Sequence, residues 1–317
     1  MKIKRQAVIF GIKTYRLTKQ EKIFFRKSKP WGIILFSRNI KNIIQLKNLI
    51  NEIKKIFNDS NYPILIDQEG GRVSRLDNII KLNFFSQEFF GNLYKKNKKL
   101  FYLSYKIYID KVCDIFKKVG ININTVPLLD VKRSYSSNII GDRSFSNDPN
   151  IISKIGKICI DLYRKNRIAT VIKHIPGHGM AKCDSHYKTP IVSINKKMLQ
   201  KKDFKPFKLC KSQFAMTAHV VYSKYDQKNT ATHSKIIIRK VIRDYIKFKG
   251  ILISDDISMK SLKNDLVNNA MLALGAGCNL VLHCNGRMLE MKKLAKVIPK
   301  IDNFLQKKTS HFYKFLR

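Results

Sequence analysis

GILISDD, residues 250–256, is an aliphatic run that ends abruptly on two carboxylates. Its apolar residues do not alternate with polar ones, so a strand made from it is buried on both faces, as in a parallel sheet covered on both sides. Seven more runs of the same kind occur: AVIFGI (7–12), GIILFS (32–37), ILIDQE (64–69), INTVPLLD (123–130), TVIKHIP (170–176), FAMTAHV (214–220) and NLVLHC (279–284). Between them lie helical patterns. Segment 39–57 places Ile43, Leu46, Ile50, Ile53 and Phe57 on one stripe. Segment 234–248 opens on Ser234, a residue suited to cap a helix, and 151–166 and 288–306 each read as one further helix. Strand then helix, repeated eight times, predicts an α/β fold, a (β/α)8 barrel of parallel strands using residues 1–317 as a single domain. A doubly wound open sheet is the alternative.

The polar residues of these runs gather at their C-terminal ends: Asp67 and Glu69, Asp130, Lys173 and His174, His219, and Asp255 with Asp256. Charges at the ends of apolar strands are unfavourable unless paired or used. In a barrel those ends form the mouth where chemistry is done. An ion-pair network inside the barrel is the competing reading for any one of them.

Composition narrows the class. Hydrophobic residues are 44% of the 317, which suits a packed core and excludes a disordered chain. Lys and Arg number 63 against 22 Asp and Glu, a net charge of +41. The lysines are scattered over helix faces and loops and form no basic arm, so the charge reads as compositional drift rather than a nucleic-acid interface. No helix-turn-helix, RNP or zinc pattern supports nucleic-acid binding. Cys113, Cys159, Cys183, Cys210, Cys278 and Cys284 form no C-x-x-C pair and read as reduced thiols. The N-terminal apolar run is too short for a signal peptide, and no stretch approaches the roughly 18 apolar residues that span a membrane. A cytoplasmic monomer is expected.

Two segments carry chemistry. KHIPGHGMAKCDSHYKTP (173–190) is too rich in Gly and Pro for a helix and predicts a loop leaving the fifth apolar run. It presents His174, His178, Asp184 and His186. Three His and an Asp could hold a metal, though no two are spaced to share a helix face. Alternatively Asp184-x-His186 is a dyad in which the carboxylate orients the imidazole and raises its pKa for proton transfer. In SDDISM (254–259), Asp255 at the lip of a strand could attack a sugar carbon, or the two acids could cap the next helix.

Eight blocks in order then resemble the bacterial β-N-acetylhexosaminidases of glycoside hydrolase family 3, in the single-domain branch that recycles cell wall: WGIILFSRN (31–39), ILIDQEGGRVSRL (64–76), INTVPLLDV (123–131), IGDRSFSNDP (140–149), KHIPGHGMAKCDSH (173–186), MTAHVVYSKYD (216–226), ILISDDISM (251–259) and AGCNLVLHCN (276–285). The resemblance implies a retaining glycosidase with Asp255 as nucleophile, His186 as acid/base and Asp184 as its partner. Asp67, Arg75, Arg143, Lys173 and His174 would bind the terminal N-acetylglucosamine. It implies no metal and no organic cofactor, and a substrate class of N-acetylglucosaminyl-1,6-anhydro-N-acetylmuramyl peptides. Asn122 and Asn279 stand where the family commonly has Asp, the stretch 259–276 is a few residues short, and the C-terminus looks abbreviated.

Another sugar specificity within the family, such as β-glucosidase, is the nearer rival, and the Asp184–His186 pair argues against it. Few apolar residues fall in 177–187, so that segment is expected to be weakly held and to close over the substrate.

Overall fold

The computed structural model describes residues 4–133, 140–181 and 189–317. Eight parallel strands close into a barrel: β1 (Gln6–Gly11), β2 (Pro30–Leu35), β3 (Ile64–Ile66), β4 (Ile123–Asn124), β5 (Ala169–Ile175), β7 (Phe214–Thr217), β9 (Ile251–Asp256) and β10 (Leu280–His283), adjacent in that order, with β10 pairing back onto β1. The predicted (β/α)8 architecture is therefore present, and the open sheet is excluded by the β1–β10 pairing. Two short strands, β6 (Ile191–Val192) and β8 (Val221–Tyr222), pair outside the barrel in parallel.

Each strand coincides with one of the eight apolar runs, because side chains on both faces are buried: Val8, Ile33, Ile64, Ile123, Val171, Phe214, Leu252 and Val281 are all 0% exposed. The helix Ile43–Phe57 starts where Asn42 Oδ1 accepts from Gln45 N at 2.9 Å, and it buries Leu46, Leu49, Ile50 and Ile53. Ser234 Oγ accepts from Ile237 N at 3.1 Å and caps a helix that runs as a π-helix over Ile237–Tyr245. The expected helix over 288–306 is instead two, Met288–Val297 and Asn303–Leu316. Pro299 breaks it: Ile298 before the proline is extended at ψ 126°, as the ring demands, and Asp302 then caps a new helix.

Asn122 and Asn279 are accounted for by the foot of the barrel. Asn122 Oδ1 accepts from Ile64 N at 2.9 Å while its amide donates to Tyr62 O at 3.0 Å. Asn279 Oδ1 accepts from Leu252 N at 2.8 Å and from Arg243 Nη2 at 3.0 Å. Both tie a strand start to its neighbour, and Asn122 uses its amide as a donor, which a carboxylate could not do.

Candidate active site

The strands end at a recess of about 170 Å³ whose wall includes Asp67, Arg75, Arg143, Lys173, His174 and Asp255. Six of the eight residues assigned from sequence thus converge on one recess. The other two, Asp184 and His186, lie outside the described residues.

One side of the recess is an ion-pair lattice. Lys173, 1% exposed at the end of β5, places Nζ 2.7 Å from Asp67 Oδ1, 2.5 Å from Glu69 Oε1 and 3.1 Å from Thr125 Oγ1. Behind it, Arg143 forks onto Glu69 through Nε and Nη2, both at 2.8 Å. Arg75 Nη2 stands 3.5 Å from the other Asp67 oxygen, and Thr125 Oγ1 also donates to Asp67. Burial alone would raise both carboxyl pKa values. Lys173 and Arg75 instead hold Asp67 well below the usual carboxylate range, and Arg143 with Lys173 brings Glu69 down to about 2. Arg143 is raised in turn by Glu69 against its own burial. The lattice keeps the two acids charged, so the cations stay fixed in a buried mouth without being neutralised.

The turn that returns Arg75 to the recess depends on glycine. Gly70 and Gly71 have φ of +90° and +57°, which a side chain would resist, and they reverse the chain directly after Glu69.

Opposite the lattice, the Lys173–His174 peptide is cis. His174 Nδ1 bonds Asp130 Oδ2 at 2.7 Å, and Asp130 also accepts from His174 N at 3.2 Å and His178 N at 2.7 Å. Burial would raise Asp130, but His174 and the His178 amide bring it below the usual range. An ionised carboxylate only accepts, so the His174 proton sits on Nδ1 and Nε2 faces the recess. His174 Nε2 is 3.9 Å from Asp255 Oδ2. The neighbouring His178 is pushed down to about 4 by burial and is neutral near pH 7.

The two acids of SDDISM part ways. Asp255 lines the recess, its side chain 18% exposed. Asp256 turns to the loop, where Oδ1 accepts from Ser258 N at 3.1 Å and Cys284 N at 3.3 Å, and Ser258 Oγ donates at 2.9 Å. His219 Nε2 holds the Asp256 carbonyl at 3.0 Å and is itself tied through Nδ1 to Thr232 at 2.7 Å. A capping role therefore belongs to Asp256, leaving Asp255 to the recess.

The segment leaving β5 is not loosely held where it is described. Residues 177–181 are buried throughout. Met180 N donates to Asp203 Oδ2 at 3.0 Å, and a Cβ on Gly179 would strike the Val131 carbonyl. The expectation of few contacts fails for these five residues because turn backbone, rather than apolar side chains, makes the contacts.

Asp203, Asp130 and Thr125 were given no role from sequence. Asp130 left a signal, a charge closing an apolar run. Asp203 left none: KDFKPF reads as a surface helix, yet the side chain is 1% exposed and 3.5 Å from Arg133 Nη2. Among the described residues no group of three or more His, Cys, Asp or Glu is placed to hold a metal, and no helix is long and apolar enough to cross a membrane.

Comparison with known proteins gives one answer. The model of the glycosyl hydrolase family 3 N terminal domain matches residues 7–309. The beta-hexosaminidase of Actinobacillus pleuropneumoniae serotype 3 (strain JL03) is 32% identical over 287 residues, covering 88% of this chain and 81% of that protein. That of Hydrogenovibrio crunogenus is 34% identical over 273 residues, covering 84% and 75%. The crystal structure of NagZ from Neisseria gonorrhoeae in complex with N-trifluoroacetyl-D-glucosamine superposes with a TM-score of 0.86 at 28% identity, covering 100% of this chain and 91% of that one.

Proposed function

The chain belongs to glycosyl hydrolase family 3, and on that premise we propose that it is a retaining β-N-acetylglucosaminidase with Asp255 as nucleophile. The observation that carries the reading is the recess itself: a carboxylate at the end of β9 facing a fixed lattice of Lys173, Arg75 and Arg143. Those cations, with Asp67 and His174, suit the hydroxyls and the amide of one sugar ring. Support for the sugar comes from relatives named beta-hexosaminidase and from a neighbour crystallised with an N-acylated glucosamine.

The reaction runs in two displacements. An Asp255 oxygen attacks the anomeric carbon, the glycosidic bond breaks, and the leaving oxygen takes a proton from His186, whose imidazolium Asp184 stabilises. A water then attacks the same carbon and gives its proton back to His186, and the Asp255 carboxylate departs. Two inversions leave the β configuration. Neither step needs a metal or organic cofactor. The substrate class is the 1,6-anhydro-muropeptides of wall turnover, acted on in the cytoplasm by a monomer whose 317 residues form one catalytic domain.

Hydrolysis of a chromogenic aryl N-acetyl-β-glucosaminide beside the matching β-glucoside tests this. Release from the first and little from the second is expected. Equal release would assign another specificity within the family, and none from either would remove the enzymatic reading.

A further inference from the structure

A second groove, of about 580 Å³, lies on the same face of the barrel as the recess. Its walls come from the segments that follow β5, β7 and β9, three strands adjacent in the barrel: Thr189 and Ile191, then Lys228 and Thr230, then Lys260 and Lys263. Connections that follow barrel strands all emerge at the mouth. The groove continues directly from the recess, since Met259 lines the recess and Lys260, the next residue, lines the groove. Thr189 Oγ1 donates to Ser261 O at 2.6 Å and joins two of the walls, and the β6–β8 pair stiffens the third.

Its chemistry is cationic and unsatisfied. Lys228, Lys260 and Lys263 are exposed at the rim, and no Asp or Glu lines the groove among the described residues. Two wall hydroxyls, Thr230 Oγ1 and Ser261 Oγ, belong to residues 5% and 1% exposed and have no hydrogen-bond partner among the described residues. Buried hydroxyls are seldom left unmatched, and a pair of them beside three ammoniums marks a place for oxygen-bearing anionic groups. His233 is pushed down to about 4 by burial, so it adds a polar wall without charge at neutral pH.

We propose that this groove is the leaving-group subsite, taking a carboxylate-bearing aglycone whose anionic end reaches Lys260 and Lys263. The assignment rests on the glycosidase reading above. It separates two functions within one mouth. The recess fixes the sugar that is transferred, and the groove discriminates among leaving groups by charge.

The test compares kcat/KM for a neutral aryl N-acetyl-β-glucosaminide with that for an N-acetylglucosaminyl anhydro-muropeptide bearing free carboxylates. In Lys260→Ala/Lys263→Ala the acidic-to-neutral ratio is expected to fall roughly threefold to tenfold, through KM, as for loss of two partly screened ion pairs. Lys117→Ala/Lys118→Ala removes the same charge at the C-terminal end of the helix Lys98–Val119, by the foot of the barrel, and is expected to shift the ratio less than about twofold. An unchanged ratio in the groove variant, or an equal fall in the distant one, overturns the subsite while leaving the glycosidase reading standing. Wild-type protein that cleaves neither substrate overturns both.

Discussion

His174 Nε2 lies 3.9 Å from Asp255 Oδ2, with the far side of the imidazole tied to Asp130 at 2.7 Å. The described mouth thus contains an Asp–His dyad beside the nucleophile, distinct from Asp184 and His186. Its position suits holding the sugar against Asp255. His186→Ala is expected to lower kcat by roughly 10²–10⁴ for a poor leaving group and by much less for a good one. His174→Ala is expected to lower kcat/KM by similar factors for both. A leaving-group dependence in His174→Ala and none in His186→Ala would exchange the two roles.

Arg143 and Glu69 are buried partners whose loss leaves an uncompensated charge. Arg143→Ala is expected to destabilise the fold by about 3–5 kcal/mol, in the range for one member removed from a buried pair. Denaturant unfolding measures this, and a loss below about 1 kcal/mol, typical of an exposed pair, would contradict the burial of the lattice. The same carboxylate sets an acid limit. With Glu69 drawn down to about 2, its contribution is complete above the unfolded value near roughly 4.3 and is lost as pH falls toward 2.

Asp203 behaves oppositely. Burial pushes it up to about 7, with Arg133 and the Met180 amide pulling it down and Asp130 pushing it further up. Between the unfolded value near roughly 3.9 and the folded value, the unfolded chain has released this proton and the folded one keeps it, so stability falls as pH rises through that window. Asp203→Asn is expected to flatten that fall, read as the difference in urea midpoint between pH 5 and pH 7.5. An identical fall in both proteins would show that Asp203 is ionised across the whole window.

The eight strands are legible because parallel strands buried on both faces are continuous apolar runs, and the acids and cations closing them are legible as exceptions to that rule. The pairing among them is not. Lys173 meets Asp67 and Glu69 across 106 and 104 residues of chain, and only closure of β3 beside β4 and β5 brings them together. Asp203 is illegible for the same reason, since its partners Arg133 and Met180 come from other barrel segments. Asp255 and Asp256 cannot be told apart from sequence. Their difference lies in which one the Ser258 and Cys284 amides claim. A single helix over 288–306 carries periodicity through Pro299, a local signal that ends a helix before it.

Asp255 can be interrogated directly. Asp255→Ala is expected to lower kcat by roughly 10⁴-fold or more without changing the unfolding midpoint appreciably, the behaviour of a nucleophile. The most direct measurement traps the intermediate: the protein is treated with a fluorinated N-acetylglucosaminyl fluoride, whose slowed second step accumulates the glycosyl-enzyme, then digested and mapped by mass spectrometry. The account predicts one added sugar on the peptide containing Asp255, and β-configured product from the normal substrate by NMR. A sugar on any other residue, or α-configured product with no adduct at all, would contradict it.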